Sequence, residues 1–270
     1  MFDYIDIHSH LNFPDFDKDR GDVIKKMTDE KIGTICVGAD LKTSRECVEL
    51  ANKYKNIWAT IGVHPNDGME DFNKRDYLKL VENKKVVGIG ECGLDYFRIK
   101  EELEIEKKRQ KILFEKQIQF AIQNNLPLMI HCRDLPHRSF TEAGAYEDIL
   151  EILNFYKKGN PELKGNVHFF IGDKEIAKKF IDIDFTISFS GVITFANNYN
   201  ETIKYVPINK IMADTDSPFV APAPFRGKRN KPLYIKEIVK KIAEIKNLDI
   251  EIIKKQMVQN AISVFSLGSH

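Results

Sequence analysis

Apolar residues in this chain gather into short β-rich runs, and each run is followed by a charged stretch with helical periodicity. The runs fall at 4–8, 33–39, 57–63, 86–91, 127–131, 166–170, 184–190 and 210–214. Amphipathic segments lie between them near 19–31, 43–55, 70–83, 101–124, 142–157, 173–182, 198–205 and 232–247, with a last helix near 249–264. Strands that alternate with helices pair in parallel, because a parallel neighbour is reached only through a crossover. Eight is the number of strands that closes a (β/α)₈ barrel. An open doubly wound sheet is the rival, but it usually carries a Gly-rich phosphate loop after its first strand, and this chain has none there. The expectation is an α/β fold, a single-domain TIM barrel over residues 1–266, with 267–270 read as a cloning remnant. No linker, low-complexity stretch or internal repeat divides the chain.

The first run, Tyr4-Ile5-Asp6-Ile7-His8-Ser9-His10, alternates apolar and polar residues. As a strand it puts Asp6, His8 and His10 on one face. Two imidazoles two residues apart point the same way, as sharing one cation requires. A metal-bound ring needs a partner for its other nitrogen, and Asp6 is the expected carboxylate. In a barrel the site lies at the C-terminal ends of the strands. Those ends supply His8 and His10, then His64, Glu91, His131 with Arg133, His168, and finally Asp214 with Asp216. Five of the seven histidines therefore fall at strand ends. Any one of them alone reads most simply as a satisfied core group; together they read as a site.

Four imidazoles (His8, His10, His131, His168) and two carboxylates (Glu91, Asp216) are too many ligands for one tetrahedral ion. They suit two ions about 3.5–4 Å apart bridged by a carboxylate, and Glu91 is the natural bridge. Asp214 is expected as a supporting carboxylate behind the ligands. Imidazole-rich ligation favours Zn, Mn or Ni over Mg. Cys92 and Cys132 each follow a ligand directly, so alternation turns them to the opposite face as buried small hydrophobes.

These motifs resemble the TatD family of metal-dependent hydrolases and DNases. The resemblance rests on Asp6-Ile-His8-Ser-His10-Leu, Gly-Val-His64-Pro, Gly-Glu91-Cys-Gly-Leu-Asp95, Ile-His131-Cys-Arg133, His168-Phe-Phe-Ile-Gly172, Asp214-Thr-Asp216-Ser-Pro218 and Arg226-Gly-Lys-Arg229-Asn230. It implies an amidohydrolase-type barrel and a divalent metal centre held by His8, His10, Glu91, His131, His168 and Asp216. Nuclease-type members are commonly regarded as Mg-dependent. The chain departs from the family pattern in small ways. Asp214 stands where Glu is usual, Phe169-Phe170-Ile171-Gly172 replaces Cys-Phe-Ser-Gly, and His131-Cys-Arg133 runs into an unusual Leu135-Pro136-His137-Arg138. His137 in that loop is either a solvated residue or a substrate contact.

Composition narrows the partners. A net charge of +1 excludes a general nucleic-acid coat, so any such binding is local. Four cysteines without CxxC spacing suit a reduced compartment. The chain shows no secretory pattern, and no apolar run nears ~18 residues. The reading is a cytoplasmic enzyme with no membrane and no obligate protein partner. Local charge lies in Pro222–Lys231, where Arg226, Lys228, Arg229 and Lys231 stand with no acid among them. Beside a metal pair such a rim points to a polyanion, and the resemblance to the TatD family implies that the polyanion is DNA, cut from an end by a phosphodiesterase. Arg133 reads as a phosphate fork or as an ion pair with a loop acid. His64, Arg133, Arg226, Lys228 and Arg229 are the substrate-binding candidates. Phe225, Tyr96 and Phe97 are base-stacking or packing residues. Asp216 is either the general base or only a ligand, and Glu91 shares the catalytic assignment. The alternative substrate is a carbonyl compound: an ester, lactone, amide or D-aminoacyl-tRNA. A non-enzymatic scaffold would lack ligands, and none is missing.

Overall fold

Residues 2–66, 71–99, 102–135 and 144–268 are described by the computed structural model. Eight parallel strands follow one another in chain order: β1 (Tyr4–Ser9), β2 (Ile32–Val37), β3 (Ile57–Ile61), β4 (Val86–Asp95), β5 (Leu128–Arg133), β6 (Gly165–Val167), β7 (Thr186–Phe189) and β8 (Ile211–Ala213). The helices that return the chain are α1 (Arg20–Asp29), α2 (Leu41–Lys53), α3 (Lys74–Val81), α4 (Leu103–Asn124), α5 (Ala145–Gly159), α6 (Lys174–Asp182), α7 (Asn200–Tyr205) and α8 (Ile235–Lys246). A ninth, α9 (Ile250–Phe265), ends the fold. This is the expected TIM barrel. Among the described residues no helix is long and apolar enough to cross a membrane.

The barrel closes between β1 and the segment after β8. Ser9 bridges Ser217, His10 N donates to Ser217 O at 2.7 Å, and Asp216 N donates to His8 O at 2.9 Å. Ile5, Ile7, Ile35, Val37, Trp58, Val87, Met129 and Met212 form one apolar cluster with Val258, Ala261, Val264, Phe265 and Leu267. Only a barrel interior brings β1 and β5 residues together, so α9 stoppers the end opposite the polar strand termini. Helix-facing strand residues, Cys92 and Cys132 among them, pack in a separate outer cluster.

Strand lengths differ from the pattern where the site begins. β6 stops at Val167, because Phe169 takes a φ of 46° and gives its N–H to Asp214 Oδ2 at 3.1 Å. β4 instead runs on to Asp95 through Gly90 and Gly93, at φ 148° and 136°. A Cβ on Gly93 would lie 2.0 Å from His131 O, and one on Gly90 2.3 Å from Met129 O. Two glycines thus let β4 pass close against β5 and carry Glu91 and Asp95 up to the same end as His131.

Candidate metal centre

Glu91 stands at the middle of the site and is almost fully buried. Its Oε2 lies 3.5 Å from His8 Nε2 and 3.6 Å from His10 Nε2. Its Oε1 lies 2.9 Å from His131 Nδ1 and 3.0 Å from His168 Nε2. Asp216 Oδ1 closes the first group, 3.7 Å from His8 Nε2 and 3.5 Å from His10 Nε2. β1, β4 and β5 and the segments just after β1, β6 and β8 deliver these side chains, and His8 stacks on His168 at 3.7 Å between ring centres. All six expected ligands therefore meet in one place. Their donor atoms form three overlapping triads, each within 4.8 Å: His8–His10–Glu91, His8–His168–Asp216 and Glu91–His131–His168.

Burial and mutual charge set the protonation of this cluster. Burial, with His168 alongside, pushes His8 down to about 4, so its ring is neutral at pH 7. Burial also works against a charged His10, but Asp216 and Glu91 outweigh it and hold that ring up at about 9. His131 behaves likewise: Asp95 and Glu91 overcome burial and hold it at about 9. Glu91 stays well below the usual carboxylate range, because the surrounding histidines outweigh its burial. Asp216 is lowered too, with His10 overcoming burial.

Divalent cations fit this donor set. His8 Nε2 and His10 Nε2 face each other at 3.3 Å, so at most one of them carries a hydrogen along that line. Without a cation, His10 and His131 are held up at about 9 by three carboxylates, Asp216, Glu91 and Asp95. Imidazole nitrogen and carboxylate oxygen are the donors that borderline divalent cations take.

Several expected partners are arranged differently. Asp6 does not face an imidazole: Oδ1 accepts from Thr215 N at 2.8 Å and Oδ2 from Thr215 Oγ1 at 2.6 Å, so its carboxylate ties the barrel seam. The ring of His10 is held by Val37 O, 3.0 Å from Nδ1, and His8 Nδ1 has no hydrogen-bond partner among the described residues. Asp214 Oδ2 accepts from Ser188 Oγ and Phe169 N beneath His168. Arg229 is corrected as a substrate contact: it donates to Asp19 at 2.9 and 2.7 Å and to Asp15 O, and lies over Phe16. Tyr96 and Phe225 are packing residues. Tyr96 is buried with its hydroxyl 2.7 Å from Asp148, and Phe225 stacks on Tyr234 at 3.9 Å.

The remaining candidates stand at the catalytic end. His64 Nε2 lies 3.6 Å from Glu91 Oε1, and its Nδ1 accepts from Asn66 N. Burial pushes His64 down to about 3, which makes it a neutral donor through Nε2. Arg133 stacks over the half-exposed Phe97 at 3.8 Å, and Arg226 over Phe195 at 3.6 Å. Lys228 is exposed. His137 lies outside the described residues. Two aromatic residues that the sequence pattern does not mark also border the site: Phe13 stacks on His10 at 4.5 Å, and the exposed Phe219 stands edge-on to His10 at 6.0 Å. Nothing in their local pattern separates them from core phenylalanines. Asp95, also passed over as a site residue, lies 3.1 Å from His131 Nε2, and the signal for it was the Gly93 that lets β4 continue.

Comparison with known proteins places the chain in a family and confirms its fold. The family described as TatD related DNase matches residues 5–266. The uncharacterized metal-dependent hydrolase YabD of Bacillus subtilis is 37% identical, over 97% of this chain and 99% of its own. The uncharacterized metal-dependent hydrolase YcfH of Escherichia coli is 31% identical, over 98% and 96%. Among solved structures, the TatD homologue YjjV of E. coli superimposes with a TM-score of 0.85 at 23% identity, covering 98% of each chain. A TatD family hydrolase from Entamoeba histolytica gives 0.81 at 22%, again over 98% of each.

Proposed function

The chain belongs to the TatD family of metal-dependent hydrolases, and from that premise we propose that it is a DNase, a phosphodiesterase that hydrolyses DNA from an end using two divalent cations. The observation that carries the two-cation reading is the division of Glu91. One oxygen faces His8 and His10, and the other faces His131 and His168. Asp216 joins the first pair. Bound there, Zn, Mn, Ni or Mg would supply positive charge for a developing oxyanion and lower the pKa of an attacking water.

The chain's own groups divide the remaining work. Asp216 is ionised at neutral pH and 17% exposed, so it can take a proton from water at Oδ1. His64, neutral and donating through Nε2, suits a non-bridging phosphate oxygen. Arg226, Lys228 and Arg133 furnish positive charge at the rim. Phe219, Phe97 and Phe195 offer exposed ring faces of the kind that stack on single-stranded bases. The combination of cations and ring faces at the same end favours nucleic acid over a small carbonyl compound.

The test pairs end-labelled single- and double-stranded DNA with a panel of esters and an aminoacyl-tRNA, each in Mg, Mn, Zn and Ni. Shortening of DNA from one end is expected. No DNA cleavage in any metal, together with turnover of a carbonyl substrate, would overturn the assignment in favour of a carbonyl hydrolase.

A further inference from the structure

We propose that Asp95 is a positioning residue for one half of the metal centre: its carboxylate holds the Nε2–H of His131, so the ring presents Nδ1 to the cation beside Glu91 Oε1. The inference rests on the reading of His131 as a ligand. Of the four imidazoles in the centre, His131 alone turns Nδ1 inward, 2.9 Å from Glu91; His8, His10 and His168 turn Nε2. Nδ1 neighbours the bond to Cβ, so it reaches a cation only over a narrow range of ring rotation. Its lone pair is free only if the ring hydrogen stays on Nε2. Asp95 Oδ2 accepts that hydrogen at 3.1 Å.

Asp95 is built to stay put. It is fully buried, and Asn66 Nδ2 donates to the same Oδ2 at 2.6 Å. Gln110 from α4 grips its main chain from both sides, accepting from Asp95 N at 2.8 Å and donating to Asp95 O at 3.0 Å. β4 and β5 run in register here, Gly93 opposite His131 and Asp95 opposite Arg133. The contrast with His10 is informative, because a neutral carbonyl, Val37 O, holds that ring. One half of the centre therefore has a carbonyl behind one of its two histidines, and the other half a carboxylate. A carboxylate behind a ring strengthens it as a donor and fixes its tautomer. Removing Asp95 should weaken the His131–His168 half and spare the His8–His10 half.

The experiment uses the full chain labelled with ¹⁵N-histidine, read by long-range ¹H–¹⁵N correlation before and after adding Zn²⁺, with His131→Asn identifying the signal. Zn²⁺ affinity is measured in parallel by competition with a chelating dye. Wild type should show Nε2 of His131 protonated with and without Zn²⁺, and Nδ1 losing its hydrogen and shifting as Zn²⁺ binds. Asp95→Leu should mix the tautomers and weaken one Zn²⁺ by about 10- to 100-fold while sparing the other. Asp95→Asn, which still offers an oxygen to Nε2–H, should keep the tautomer and lose less affinity, so a folded variant is available for comparison. If Nδ1 does not move on adding Zn²⁺ to wild type, His131 is no ligand and the underlying reading fails. If it moves equally in wild type and both variants at unchanged affinity, positioning by Asp95 alone is refuted. Asp95, His64 and His131 also bring donor atoms within 4.8 Å of one another, so a third Zn²⁺ that disappears in Asp95→Asn would make Asp95 a ligand and overturn the proposal.

Discussion

Arg229 and Asp19, 210 positions apart in the chain, form a two-pronged ion pair that fastens the loop after β8 to the loop before α1. The guanidinium also lies over Phe16, a fully buried ring, at 4.4 Å. The strand-end loops carrying His10 and Asp216 thus share a fastening a short distance out from the centre. Arg229→Gln should lower stability by no more than about 1 kcal/mol, since the pair is partly exposed and solvent-screened. That corresponds to roughly 2–4 °C in Tm for a chain of this length.

The pH dependence of that loss has a definite sign. Arg229 holds the Asp19 carboxyl below its ordinary 3.8. A carboxyl lowered in the fold stabilises above its unfolded pKa and loses that contribution as pH falls through the folded value. The Tm gap between wild type and Arg229→Gln should be full at pH 6–7 and shrink below about pH 4. Thermal melts across that range measure it, and a gap that widened in acid would contradict the pairing.

The same residue shows where sequence reading stops. Four basic residues without a local acid look like free charge, because the acid that claims Arg229 comes from the other end of the chain. Glu91 was legible for the opposite reason: strand order alone places a mid-barrel carboxylate between ligands from both sides. Asp6 misled because a carboxylate two residues before a histidine is the common second partner of its ring. Here the barrel seam needs that carboxylate to bind Thr215. The eight strands were readable from periodicity, but the short β6 and long β4 depend on Phe169 and on glycines whose neighbours lie on other strands.

Glu91→Ala removes both oxygens that face the two histidine pairs. If two cations bind as proposed, metal analysis of the purified variant should show loss of both, and turnover should fall by at least about 10³. Stripping wild-type protein with a chelator should reproduce that loss, and adding metal back should reverse it only in wild type. A variant that kept one full equivalent would mean that the halves bind independently.

Asp216→Asn probes a different role. An amide oxygen still faces His8 and His10 but takes no proton at neutral pH. Metal content should stay near wild type while kcat falls by roughly 10²–10⁴. Near-normal turnover with metal bound would remove Asp216 as the base and leave it a ligand only.

The substrate itself is tested at the rim. Arg226 lies over Phe195 and Lys228 is exposed, so both are positioned to meet phosphates, whereas Arg229 is committed to Asp19. If DNA is the substrate, binding should weaken with salt by about 0.7 log units per log of salt for each single-strand phosphate contact. Replacing Arg226 and Lys228 together by Gln should raise KM for DNA and flatten that slope by roughly 1.4. Arg229→Gln should leave the slope almost unchanged, which separates a lost phosphate contact from a loosened loop. Hydrolysis of a small uncharged ester, where any is seen, should be the same in all three proteins, because none of these residues touches Glu91 or its histidines. Salt titrations of DNA binding in wild type and both variants decide the matter. Equal slopes throughout would show that the basic rim does not engage phosphates and would remove the main support for a nucleic-acid substrate.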